Sequence, residues 1–200
     1  MKGIGKGRLS ADHSPKYERV ERERRYLLRA LPPALKVNDI HAQITDNYIT
    51  GTRLRLRKVR WPQTNEWTLK LTQKHAPNDP HDFSRTLITS IYLNEYEYEV
   101  FSVFEANEIR KNRYPYTHEG RKYSVDVFLG ALHGLILAET DFDADSEMDN
   151  FPPPPFAALD VTHDELFTGG RLVYLTIDEL RAEFKARVEK WEGQSDGRAQ

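Results

Sequence analysis

Five basic residues and no acid lie between Gly51 and Arg60: Arg53, Arg55, Arg57, Lys58 and Arg60. Across Arg53, Leu54, Arg55, Leu56 and Arg57 a period of two puts three guanidinium groups on one face of a strand and both leucines on the other. Such a face suits phosphate, because a guanidinium fork meets two of its oxygens at once. The opposite extreme comes late in the chain. Glu139, Asp141, Asp143, Asp145, Glu147 and Asp149 occupy every second position with no base among them. Either run alone reads as a solvated face; two runs of opposite sign weaken that reading. Glu139 and Asp141 follow Leu135, Ile136, Leu137 and Ala138, a run apolar on both faces that resembles a buried strand. Acids there need an arginine or a metal, since an unpaired buried carboxylate is costly. From Asp143 the chain leads into Asn150 and four consecutive prolines from Pro152, a surface loop whose carboxylates are expected in solvent.

The elements that must position these groups are mostly strands. Trp67, Leu69 and Leu71 alternate with Thr68, Lys70 and Thr72, and Tyr123, Val125 and Val127 alternate with Ser124 and Asp126. A β-branched run from Thr86 to Leu93 and a segment from Ile109 to Tyr116, with Lys111 and Arg113 on one face, add two more. Two amphipathic, surface-packed helices are expected. Asn94 caps one whose stripe is Tyr96, Val100, Val103 and Phe104, and a Thr176/Glu179 capping box opens a C-terminal helix with Leu180, Phe184, Val188 and Trp191. Strands with one apolar and one charged face fit a closed antiparallel barrel with a polar interior, or a flat sheet with a solvent face.

The chain has 200 residues, 29 Lys+Arg against 31 Asp+Glu, a formal charge of −2, 11% aromatic residues and no cysteine. That length suits one domain with its own core. No disulfide framework, thiolate metal site or cysteine nucleophile can be built. The balanced charge argues against a general nucleic-acid or membrane-surface binder. No segment reaches the ~20 apolar residues of a membrane span and no export signal is seen at the start, so a cytoplasmic protein is expected. The expected layout is a flexible tail over 1–16, one domain over 17–192 and a disordered tail over 193–200.

Read alone, the segment from Val20 to Leu28 favours a helix, with Tyr17, Val20, Leu27, Leu28 and Leu31 in a rough stripe and Glu18–Arg22 and Glu21–Arg25 at i,i+4 spacing. Its place in the motif order reverses that reading. Glu21, Glu23 and Arg25 resemble the ExExK opening of the CYTH superfamily, the triphosphate tunnel metalloenzymes. Asp46, Asn47 and Tyr48 resemble its QxY element, the alternating arginines its basic third strand, and Thr68, Leu69 and Lys70 its LTxK. Arg85 stands where a strand-starting arginine is expected. Lys111, Asn112, Arg113 and Tyr114 resemble KTRY, Asp126, Val127 and Phe128 match DVF, and the stretch from Gly134 to Asp141 is similar to GLxLAExE. The residues from Thr89 to Leu93 look like a bacterial subgroup. Leu87 and Thr89 depart from the pattern, standing where glutamates are common, and Asp141 replaces a glutamate.

The resemblance implies a mainly antiparallel α+β fold, a closed eight-stranded barrel with flanking helices and a C-terminal helix. It implies phosphate binding by Arg25, Arg53, Arg55, Arg57, Lys70, Arg85, Lys111 and Arg113, with Lys70 meeting a bridging or leaving oxygen. Asp126 would orient a basic residue or assist water, and Tyr48 would pack rather than touch substrate. Glu21, Glu23, Glu139 and Asp141 would hold Mg²⁺ or Mn²⁺ at one end, hard ions that prefer oxygen ligands. The implied activity is metal-dependent hydrolysis of an inorganic or organic triphosphate. The alternatives are a polyphosphate- or nucleotide-binding module without turnover, a thiamine triphosphatase-like enzyme and a class IV adenylate cyclase-like enzyme. The implied partner is a small-molecule triphosphate or polyphosphate, with a homodimer compatible and neither nucleic acid nor membrane expected.

Overall fold

The computed structural model describes residues 18–75 and 82–195. Tyr17, the expected tail over 1–16 and residues 196–200 lie outside the described residues. Among the described residues nine strands and four α-helices run in the order β1 (Arg19–Leu27), β2 (Ala42–Ile49), β3 (Leu54–Trp61), β4 (Glu66–His75), β5 (Arg85–Leu93), α1 (Glu95–Ser102), β6 (Ala106–His118), β7 (Arg121–Phe128), β8 (Ile136–Asp141), α2 (Asp145–Asp149), β9 (Leu159–Asp160), α3 (Gly169–Leu172) and α4 (Ile177–Ser195). The strands pair in the order β5–β4–β3–β2–β6–β7–β8–β1, and β1 also pairs with β5. Eight antiparallel strands therefore close into a barrel. Closure removes sheet edges and leaves each strand one inward and one outward face.

The seam between β1 and β5 is short, running from Arg19 opposite Ile88 to Arg22 opposite Arg85. Beyond it β1 pairs with β9, Tyr26 opposite Asp160 and Leu27 opposite Leu159. The Thr162 hydroxyl accepts a hydrogen bond from the Arg25 backbone N–H at 3.0 Å.

β1 is the segment whose composition favours a helix. The extended form wins because alternate residues find different partners: Glu21, Glu23 and Arg25 face inward, while Arg22 reaches Asp145 and Arg24 reaches Asp160 outside. A helix would scatter these contacts, and tertiary partners outweigh propensity.

Two apolar clusters hold the barrel. Outside, Tyr26, Leu28, Tyr114, Tyr123, Val125 and Ala138 pack under Leu31, Leu35, Phe151 and Phe156. Inside, at one end, Ile109, Phe128, Leu135 and Leu137 pack on Leu166, Phe167, Leu172, Leu175 and Leu180, with Leu27 and Tyr48 at the margin. The second cluster is a floor: the segment from β9 to α4 stops that end of the barrel with side chains.

α1 forms with the expected Asn94 cap, and Glu97 completes it as a capping box, Asn94 and Glu97 satisfying each other's backbone N–H groups. Its orientation corrects the expected packing. Tyr98 and Phe101 turn toward the barrel, whereas Tyr96 is 86% and Val103 79% exposed. Tyr98 lies near Asn47 on β2, and Phe101 lines a hollow with Asn47, Ile49 and Leu56. The Thr176/Glu179 box opens α4, with Thr176 N–H donating to Glu179 at 2.8 Å. Leu180 is buried there, while the side chains of Val188 and Trp191 lie outside the described residues. The α4 backbone continues to Ser195, into the expected tail. Among the described residues no helix is long and apolar enough to cross a membrane.

Candidate functional site

Strand register decides which charges meet. Arg25 lies opposite Glu139 and Glu23 opposite Asp141 across β1 and β8. Asp46 lies opposite Arg57, Arg57 opposite Lys70, and Arg113 opposite Asp126. Directly opposed residues share a face, so β1, β2, β3, β4, β6, β7 and β8 send Glu21, Glu23, Arg25, Asp46, Arg55, Arg57, Lys70, Lys74, Lys111, Arg113, Asp126, Glu139 and Asp141 into the barrel above the apolar floor.

These groups form a web. Arg57 meets both oxygens of Asp46, at 2.5 and 2.7 Å, and Arg55 Nε lies 3.7 Å from the same carboxylate. Asp126, fully buried, accepts from Lys111 at 2.5 Å and from Arg113 at 2.6 Å. Arg113 goes on to Glu139 at 2.7 Å, and Arg25 meets Glu139 at 3.1 Å as well as Glu23. Lys74 pairs with Glu21.

Burial and charge move these groups in different directions. Burial opposes ionisation of Asp46, but Arg57 and Arg55 outweigh it and hold the carboxyl well below the usual range. Glu139 is likewise held low against burial, by Arg113, Lys111 and Arg25. Glu23 is pushed up, by burial and by the Glu139 charge, against the pull of Arg25. Asp141, at the exposed rim, is raised by desolvation and by Glu21 and Glu139. Lys70 is lowered by desolvation and then by Arg57 and Arg55.

Three cationic groups keep capacity to spare. Arg25 Nη1 and Arg55 Nε are buried with no hydrogen-bond partner. Among the described residues Lys70 makes no ion pair, its Nζ lying 5.3 Å from the Tyr92 ring centroid. Buried donors without acceptors are rare because each costs about 1–3 kcal/mol, so two of them beside the half-buried, unpaired Lys70 mark a place for an anion.

Two expected members are not brought in. Arg53 is exposed in the turn before β3: Gly51 at φ 71° and the Thr52 hydroxyl, bonded to Ile49 carbonyl and Leu54 N–H, bend the chain so that the strand starts at Leu54. Arg85 shares the outer face with Arg22, and binds Asp145 at 2.9 Å, Asp149 at 2.7 Å and Asp82 at 3.1 Å. With Arg121 on Glu147 at 2.6 Å, the late acidic run, exposed as expected, also ties α2 to the barrel wall. Leu87 and Thr89 point outward too. The inward positions of β5 are Thr86, Ile88, Ser90 and Tyr92, which are uncharged.

Tyr48 packs against the floor. Asp46 and Lys74 were assigned no role by sequence, though both were readable from period two: Asp46 two residues before Tyr48, Lys74 four after Lys70.

Glu21, Glu139 and Asp141 are hard oxygen donors facing into the same end of the barrel, and donors of that chemistry suit a magnesium-like ion. Among the described residues no three acids or histidines converge on one point, because Lys74, Arg25 and Arg113 hold Glu21, Glu23 and Glu139.

No family model matches the chain. It is similar to an inorganic triphosphatase of Acetivibrio thermocellus, 36% identical over 95 residues covering 42% of this chain and 59% of that protein, under two thirds of its length. A second inorganic triphosphatase, of Nitrosomonas europaea, is 25% identical over 159 residues, 74% of this chain and 92% of that protein. The crystal structure of the inorganic triphosphatase NE1496 superposes with a TM-score of 0.51 at 23% identity, covering 76% of this chain and 93% of that one. The chain thus has the triphosphate tunnel fold, the closed eight-stranded barrel of that structure.

Proposed function

We propose that the chain is a triphosphatase of the bacterial CYTH type that binds an inorganic or organic triphosphate inside the barrel and hydrolyses its terminal anhydride. The observation that carries this reading is the set of donors without acceptors, Arg25 Nη1, Arg55 Nε and Lys70, inside a wall that also holds Arg57, Lys111 and Arg113. A triphosphate carries about four negative charges near neutral pH, and its transfer is accelerated mostly by positioning and by neutralising its oxygens. Arg55 and Arg57 grip non-bridging oxygens from one wall, and Arg25 and Arg113 from the other. Lys70, a compact point charge, takes a bridging or leaving oxygen. Asp126 has both oxygens engaged with Lys111 and Arg113, which suits it to positioning these cations rather than to activating water. Glu21, Glu139 and Asp141, with Glu23 held back by Arg25, would hold Mg²⁺ or Mn²⁺, which would supply charge neutralisation there.

Phosphate release from tripolyphosphate with Mg²⁺ or Mn²⁺ tests this. Arg55→Met and Lys70→Met are expected to lose roughly 100-fold or more in rate, and rates equal to wild type would sink the proposal. Comparison with ATP, thiamine triphosphate and pyrophosphate assigns the substrate, tripolyphosphate being expected fastest.

The uncharged inner face of β5 favours a second reading, a module that holds triphosphate without turnover. Tight tripolyphosphate binding with no phosphate release in any divalent metal would select it.

A further inference from the structure

Lys74 and Glu21 face each other across β5. Lys74 is opposite Ile88, and Glu21 is opposite Thr86 on the other side of the same strand, so both side chains point inward with only Thr86 and Ile88 between them. Neither intervening side chain is charged, and the Lys74 ammonium crosses the gap to bond a Glu21 carboxylate oxygen. The Glu21 side chain is 19% and that of Lys74 34% exposed, so the pair is partly desolvated and less screened than a surface pair. Of the other cations, Arg19 lies 3.8 Å from Glu21 and is 77% exposed, a far weaker competitor. Arg25 and Arg113 are committed to Glu23, Glu139 and Asp126. Lys74 is thus the cation hydrogen-bonded to Glu21, with Arg19 a more distant and more exposed second partner, and Glu21 is the inward acid of β1 that Arg25 does not hold.

We propose that Lys74 is a built-in counter-cation of the carboxylate end, and that a divalent ion binds there only by displacing its ammonium from Glu21. This rests on the reading of Glu21, Glu139 and Asp141 as the ion's donors. It adds that metal affinity is set by a competition inside the protein, which β5 permits by offering no carboxylate of its own. Two ligands that exclude each other on one group weaken each other by the same factor.

The test is Mn²⁺ titration of the full chain by calorimetry and by the electron paramagnetic resonance of free Mn²⁺, without triphosphate. Lys74→Gln is expected to bind Mn²⁺ about tenfold more tightly than wild type, within the roughly 5–150-fold range of such couplings. Lys74→Arg, which keeps the charge, is expected to stay near wild type, and Lys74→Gln in a Glu21→Gln background is expected to give no gain. In the wild type, saturating Mg²⁺ is expected to shift the ¹⁵N resonance of the Lys74 ammonium as it leaves Glu21, which needs no variant to fold. Mn²⁺ binding unchanged or weakened in Lys74→Gln, absent from both proteins, or accompanied by an unmoved ammonium resonance would overturn the inference. Tripolyphosphate binding, measured separately without metal, shows whether the anion site stands when the metal inference fails.

Discussion

Arg57 grips Asp46 through both carboxylate oxygens, from the neighbouring strand and inside the barrel. Asp46 is 2% exposed, so the pair is almost wholly out of water. Such pairs contribute little when formed but cost about 3–5 kcal/mol when one partner is removed, because a buried charge is left alone. Asp46→Asn is expected to destabilise the protein by about 3 kcal/mol in urea unfolding. It also frees Arg57 and Arg55, so tripolyphosphate is expected to restore part of the loss, with a larger stabilisation in the variant than in wild type at equal ligand. Equal shifts in both proteins would show that these arginines do not meet the anion.

Acid is expected to weaken the fold through the same carboxylates. Asp46 and Glu139 ionise below their unfolded range of about 4, held there against burial by Arg57 and Arg55 and by Arg113, Lys111 and Arg25 respectively. A carboxyl depressed in the folded state stabilises fully above its unfolded pKa, and the contribution disappears as pH falls toward the folded value. Unfolding free energy should therefore hold level from pH 7 to about 5 and fall below pH 4. In Asp46→Asn the fall should be shallower, as read by urea titrations at each pH.

Gly169 lies where a Cβ would overlap the Tyr48 hydroxyl. Gly169→Ala is expected to cost about 1–3 kcal/mol, as overpacking does, and Tyr48→Phe, which removes the nearest atom, to recover part of it. A double-mutant cycle by thermal unfolding measures the coupling. Additive effects would show that the alanine is accommodated elsewhere.

Arg85 tests the inside-outside assignment. Since it clamps α2 from the outer face, Arg85→Ala is expected to leave tripolyphosphate binding within twofold of wild type and to cost on the order of 1 kcal/mol of stability. A loss of binding comparable to that of Arg55→Met would place its side chain inside.

Most of the barrel was legible because alternation is a local property: Thr68, Lys70 and Thr72, or Ser124 and Asp126, declare their face within a few residues. β1 was not legible alone, since Glu18–Arg22 and Glu21–Arg25 satisfy a helix as well, and what selects the strand is remote, Asp145 and Asp160 on one face and Glu139 on the other. Arg85 was misplaced for a related reason. A strand's period is visible in sequence, but its phase relative to the barrel axis is set by register with β1, and slipping that phase by one residue exchanges inside for outside. Arg53 failed at an element boundary, where the turn chemistry of Gly51 and Thr52 decides. The inner floor was invisible, because Ile109, Phe128, Leu135 and Leu137 look like any strand hydrophobics until α3 and the start of α4 are seen packed on them.

Among the described residues that floor closes one end of the barrel, where Phe167 and Leu172 are 1% exposed. If a triphosphate binds above it as proposed, it would have to arrive and depart on the side of Asp141 and the exposed Tyr92. A product phosphate held by Arg25 and Arg55 would then stand in the way of the next substrate.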